Sequence, residues 1–168
     1  VRYAAFREDV RDIDTDLFFQ NFLTDAKSNK ASVHTKAEVT EINFKKGQWR
    51  VNTGLGVFYA DILINASGAW ADQTAQLAGV NILGFTPYRR SIARIPVPGG
   101  FNPSLWPLFD GVNESWYAKP DAGQLIVSPA DEDPIKPQDA WADDMVLAAG
   151  LARFEELITH PVERITSN

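Results

Sequence analysis

The stretch Asp61-Ile62-Leu63-Ile64-Asn65-Ala66-Ser67-Gly68-Ala69-Trp70-Ala71-Asp72 decides how this chain is read. Ile62, Leu63 and Ile64 form a short apolar run without alternation, the pattern of a strand buried on both faces, as in a parallel sheet. Small residues follow at once, and the next segment predicts a short helix over residues 70–78, closed by Gly79. Small side chains at a strand end let a ligand lie close to the backbone. The unpaired amides at a helix start favour a phosphate or the polar edge of a ribose. In open α/β sheets, ligands gather at the C-terminal ends of strands. The same residues also suit a tight strand-to-helix turn with no ligand, and composition alone leaves the two readings level.

Upstream, residues 32–60 read as a three-stranded antiparallel unit. A strand over residues 33–44 carries Val39 and Ile42 among its apolar positions, and Lys45-Lys46-Gly47 turns it. A second strand over residues 48–52 puts Trp49 and Val51 on one face. Thr53-Gly54-Leu55-Gly56 turns again into Val57-Phe58-Tyr59. Further back, a helix is expected over residues 15–27. Asp14 suits its cap and Asp16 the positive end of its dipole. Phe18, Phe22 and Ala26 share one of its faces, with Leu23 beside them, and Ser28-Asn29 ends it.

Downstream, Pro87, Pro96, Pro98, Pro103, Pro107 and Pro120 cut the chain into short extended pieces. Strands are expected over residues 91–95, 115–118 and 124–127, and a polar loop over 131–137. A third helix is expected over residues 140–159, with Asp139 as cap and Leu147, Leu151, Phe154 and Ile158 as its apolar stripe. Gly150 costs that helix about 1 kcal/mol relative to alanine. His160-Pro161 stops it, and another strand is expected to start at Val162-Glu163-Arg164-Ile165. The change of character near Thr86 sets a division into residues 1–86 and 87–168.

The 168 residues are 45% hydrophobic, enough apolar surface to bury a core. The net charge is -6 with no basic stripe to offset it, which argues against nucleic acid as a partner. Arg89-Arg90 reads as a solvated turn. The absence of cysteine excludes disulfides, thiolate catalysis and cysteine-ligated metals, and suits a reducing compartment, so a cytoplasmic location is expected. No apolar run approaches the ~18 residues of a membrane span. The first residues lack a secretory signal and open on Val1, which suggests a start inside a longer gene. His34 and His160 read as surface or capping residues, and no metal site is expected. Asp131-Glu132-Asp133, followed by Pro134, reads as a solvated loop. Ser67 and Ser128 lack the G-x-S-x-G context of a serine hydrolase.

Four stretches, in order, resemble the D-amino-acid oxidase (DAO) superfamily of FAD-dependent oxidoreductases, which includes glycine oxidase, sarcosine oxidase and D-amino-acid dehydrogenase. Asp12-Ile13-Asp14-Thr15-Asp16-Leu17 looks like the family's aspartate followed by a helix. Ala37-Glu38-Val39-Thr40-Glu41-Ile42, with Gly47-Gln48-Trp49-Arg50-Val51, is similar to its strand and meander. Ala60 through Trp70 resembles its returning strand and glycine turn. Ser115-Trp116-Tyr117-Ala118-Lys119-Pro120-Asp121-Ala122-Gly123-Gln124-Leu125-Ile126 looks like a substrate-domain hairpin.

The resemblance implies an α+β piece of a two-domain flavoenzyme. Residues 1–86 would be part of the FAD-binding α/β domain, a β-meander plus a returning parallel strand. Residues 87–168 would be part of an antiparallel-sheet substrate domain. FAD is the implied cofactor of the full-length protein. The backbone at Val39 would meet the adenine, and Ala66, Ser67 and Gly68, with Trp70, would pack against the diphosphate and ribose. Tyr117 would line the cavity over the flavin, on the face opposite Trp116, and Arg89 or Arg90 would approach a substrate carboxylate. Read alone, Val39 is a core valine and Tyr117 a cross-strand packing aromatic.

The family's opening strand, G-x-G-x-x-G turn and helix have no counterpart here. Gly54-Leu55-Gly56 sits in a hairpin and runs into Val57-Phe58-Tyr59. The family's closing strand, which brings an arginine for the substrate carboxylate, would come after Asn168. The chain is therefore expected to be the middle of the pattern. The implied function is oxidation of a small amine or amino acid by hydride transfer to flavin, with no catalytic side chain assigned. The isolated chain is expected to be inactive and colourless. The alternative is a non-catalytic accessory subunit of a multi-subunit amine dehydrogenase. Such a subunit would behave well alone, whereas an excised piece would self-associate through exposed apolar edges.

Overall fold

A computed structural model describes residues 4–162. The chain divides into two compact units, one of Asp9–Phe85 and one of residues 4–8 with the chain from Thr86 onward. Its fold is α+β, with every strand pair antiparallel among the described residues.

The first unit opens with α1 (Thr15–Ser28), capped where Asp14 accepts from the Leu17 amide at 2.9 Å. Asp16 and Lys27 lie at the dipole ends that suit their charges. None of its residues is buried, and the Phe18–Phe22 pair, with ring centroids 4.8 Å apart, faces outward. The meander follows as β1 (Val39–Lys45), β2 (Gln48–Thr53) and β3 (Gly56–Ala60), in that order across the sheet. Lys46 (φ 54°) and Gly47 (φ 81°) are both left-handed, as a two-residue hairpin loop needs, and they set Lys45 opposite Gln48. β1 starts later than the expected residue 33, because Lys36 (φ 56°) interrupts the extended chain.

Residues 61–67 form no strand, a correction to the expected returning parallel strand. Ile62 and Ile64 are 78% and 81% exposed, so one of the two faces the run was expected to bury is bare. A strand holds its place through a neighbour's hydrogen bonds, and no described strand lies beside this one. A 3-10 turn, Gly68–Trp70, then leads into α2 (Ala71–Leu77), which lies against β1. Gly79, with φ 66°, ends that helix as expected.

The second unit carries the core. β4 (Tyr88–Arg89) pairs with the later strand Asp133–Pro134. A four-stranded sheet contains β5 (Ala93–Ile95), β6 (Phe109–Asp110), β7 (Tyr117–Asp121) and β8 (Gln124–Ser128), in the order β5-β8-β7-β6. The Asp133–Pro134 strand is β9, and α3 spans Asp144–Glu155. The sheet's inner face and α3 enclose Ile95, Val97, Trp116, Ala118, Leu125, Val127 and Phe154. Trp116 meets Phe154 edge-to-face at 5.1 Å.

α3 is shorter than residues 140–159, and its cap is Asp143 rather than Asp139. The Asp143 carboxylate accepts from the Met145 and Val146 amides at 3.0 and 3.1 Å. Within α3 the stripe is as read, with Leu147 and Phe154 buried and Leu151 packed on the core, whereas Ile158 packs there from beyond the helix end. Gly150 has a packing reason, since an added Cβ would stand 2.4 Å from Pro129 Cβ. The strand expected from Val162 to Ile165 lies outside the described residues beyond Val162. Among the described residues, no helix is long and apolar enough to cross a membrane.

Candidate functional site

In the first unit the small-residue turn is built by Asn65. Its side-chain amide donates to the Ala71 carbonyl at 2.8 Å, and its Oδ1 accepts from the Ser67 amide and hydroxyl at 3.3 and 2.7 Å. The Ser67 hydroxyl also shares a hydrogen bond with Thr74 Oγ1 at 2.8 Å. Ser67 therefore turns inward, which narrows the expectation of bare amides here. The open positions are Ala66, which is exposed, and Gly68. Gly68 has φ 56°, and a Cβ added to it would meet nothing within 4 Å. A left-handed residue without a side chain is the condition for close approach of a ligand to backbone. Trp70 follows on the same turn, its amide held by the Ser67 carbonyl at 3.0 Å and its side chain well exposed.

Asp72 is a residue that the sequence reading passed over. Its carboxylate accepts from three successive amides, Leu83 at 3.1 Å, Gly84 at 2.9 Å and Phe85 at 3.0 Å. It ties the end of this unit to α2. Val39 opens β1, an edge strand of the meander, opposite Thr53. It is 37% exposed and so is not a core valine.

In the second unit Tyr117 lies opposite Ser128 on β8 and Asp110 on β6. Trp116 and Ala118 are buried toward α3, so alternation sends Tyr117 to the outer face, as expected. Lys119, Ile126 and Arg94 stand in one cross-strand row on that face, and Arg94 pairs with Asp121.

Arg89 and Arg90 are not a free solvated turn, and of Asp131-Glu132-Asp133 only Glu132 and Asp133 stay solvated while the Asp131 side chain is buried. The two runs face each other across β4 and β9, with Arg89 on Asp133 at 2.8 Å and Arg90 on Glu132. Arg89 Nε also lies 3.6 Å from Asp131, whose side chain is only 5% exposed. Asp131 accepts from the Ser91 amide and hydroxyl, and Ser128 donates to the Ser91 carbonyl at 2.7 Å. The hydrogen bond and charge of Asp133 hold the Arg89 guanidinium above its usual pKa, against a smaller opposing effect of desolvation. Tyr88, Arg89, Arg90 and Glu132 line a hollow of about 400 Å³ whose cations are already paired. His34 lies by Phe58 and His160 by Phe101, and among the described residues no cluster suits a metal ion.

A family model described as "DAO: FAD dependent oxidoreductase" matches residues 1–166. The chain belongs to this family. FAD is accordingly the cofactor of the full-length protein, and the open turn at Ala66 and Gly68 leaves room for a group of that kind. Two solved structures share the fold. One is glycine oxidase from Geobacillus kaustophilus, with a TM-score of 0.65 and 22% identity over 79% of this chain and 34% of that one. The other is L-proline dehydrogenase from P. horikoshii, with a TM-score of 0.70 and 20% identity over 90% of this chain and 42% of that one. The chain thus spans less than half the length of either of these proteins.

Proposed function

We propose that this DAO-family chain is part of an enzyme that oxidises a small amine or amino acid at the carbon next to its nitrogen. The observation that carries the reading is the open, left-handed backbone at Gly68 in a chain of an FAD-dependent family. The two solved neighbours are named for oxidation of glycine and dehydrogenation of L-proline, which supports the substrate class.

In this reading residues 1–86 supply part of the FAD-binding region and residues 87–168 part of the substrate region. The backbone of Val39 borders the adenine. Ala66 and Gly68 let the diphosphate and ribose approach, Ser67 shapes the turn from within, and Trp70 packs alongside. FAD, when bound, supplies the acceptor for the hydride that leaves the substrate C–H. The chain's own residues position the ligand and exclude water. Tyr117 lines the substrate side on the outer sheet face, and no side chain here is asked to remove a proton. Arg89 serves a substrate carboxylate only if Asp133 gives it up.

The test is a pair of substitutions in the full-length protein. Gly68→Val puts a side chain into the space above the turn and is expected to weaken FAD binding at least ~10-fold, read by flavin fluorescence titration. Gly79→Val imposes a comparable backbone strain at φ 66° in open space and is expected to leave FAD affinity near wild type. Equal affinities for Gly68→Val and wild type would remove the turn from the cofactor site.

A further inference from the structure

We infer that Arg153 is a positioning residue for the substrate face, acting through the open end of the β7–β8 hairpin. The inference rests on the reading of Tyr117 given above. Arg153 lies on α3, and its Nε donates to the Ser115 carbonyl at 3.0 Å. Its Nη2 donates to the Pro129 carbonyl at 3.2 Å. These two acceptors bracket one cross-strand pair. Ser115 precedes Tyr117 by two residues, Pro129 follows Ser128 by one, and Tyr117 lies opposite Ser128. One planar guanidinium therefore staples the two strands where they leave the hairpin.

That end needs a staple. The chain enters β7 through Asn113 (φ 60°) and Glu114 (φ 54°) and leaves β8 through Ala130 (φ 57°), all left-handed without being glycine. Such conformations persist only where surrounding contacts determine them. Pro129 has no amide with which to extend the ladder. α3 comes close at this point, because Gly150 leaves no room for a Cβ beside Pro129. Arg153 reaches the Ser115 carbonyl from α3, the helix that covers the sheet face holding Trp116, while alternation puts Tyr117 on the other face. An effect of Arg153 on substrate must therefore pass through the placement of Tyr117. A lysine cannot reproduce the staple, since a single ammonium lacks the rigid fork of a guanidinium.

The experiment uses the full-length, FAD-loaded protein with Arg153→Met, Arg153→Lys and Tyr117→Ala. Steady-state kinetics are combined with hydrogen exchange at the amides around Ser115 and Pro129. Arg153→Met is expected to raise KM for the amino-acid substrate about tenfold, with kcat within twofold and FAD affinity unchanged. Exchange at the hairpin's open end should rise with it. Arg153→Lys, the variant to rely on if methionine prevents folding, is expected to fall between. Tyr117→Ala should raise KM at least as much. If Tyr117→Ala raises KM and both Arg153 variants leave it at the wild-type value, or lower kcat instead, the role of Arg153 is overturned and the substrate face stands. If Tyr117→Ala leaves KM unchanged, the substrate face itself is wrong and the inference falls with it.

Discussion

Phe22 and Phe154 sit on helices built alike. Each helix has an aspartate cap, Asp14 for α1 and Asp143 for α3, an acidic first turn and a basic last turn. Yet Phe154 is fully buried, and Phe22 is 61% exposed. The same contrast runs through the two units. From Thr86 onward a sheet face and α3 close on a continuous cluster of apolar side chains. Within Asp9–Phe85, Ile42 and Ala75 are the buried apolar residues, while Phe18, Ile62 and Ile64 stand in the open. Caps and turns satisfy backbone groups wherever they occur, whereas hydrophobic stabilisation needs a second surface. Good secondary structure in one unit and a core in the other are therefore separate achievements of the same chain.

The sharpest way to break this contrast is a matched pair of truncations. Phe154→Ala should cost the second unit about 3–5 kcal/mol, since it empties a fully buried site that meets Trp116 and Phe109. Phe22→Ala should cost no more than about 0.5 kcal/mol, as an exposed position does. Urea unfolding of the two variants checks both values. Similar costs would mean that α1 is covered in solution.

Gly150→Ala tests whether packing outweighs local preference. Alanine favours a helix interior over glycine by about 1 kcal/mol. The new methyl would press on Pro129, and overpacking of this kind costs about 1–3 kcal/mol. A net loss of stability is expected, whereas a gain measured in the same assay would show that α3 can shift away from the sheet.

A smaller and more local effect is expected in the first unit from Asp72→Ala. Each lost hydrogen bond is worth about 1 kcal/mol, less where water replaces the carboxylate. Hydrogen exchange at Leu83, Gly84 and Phe85 should speed up, with little change in the unfolding of the second unit. Unchanged protection of those amides would contradict the role of Asp72 as their acceptor.

The legible parts of the molecule share a short reach. Asp14 as a cap, the Lys46-Gly47 hairpin loop, the β7 and β8 hairpin and the stripe of α3 are each encoded within a few residues of where they act. The family was also readable, because its meander, glycine turn and hairpin recur in order, although the returning strand does not form. Two local features used in the proposed site were legible for the same reason, the small-residue turn at Gly68 and the outward face of Tyr117. Asn65, which builds the turn, stood in the quoted stretch, but nothing local said which amides it would take.

What the sequence by itself determined is the set of local elements, their order and their family, since capping, turn geometry and side-chain alternation depend on near neighbours. The tertiary structure alone decided that Arg89 faces Asp133, 44 residues away, and that Arg153 reaches Ser115, 38 residues away. It also decided that Ile62 and Ile64 find no neighbouring strand among the described residues, although their run has the composition of a buried one. Pairing across such distances depends on how folded elements meet, and a run of residues can state its need for a partner without naming one.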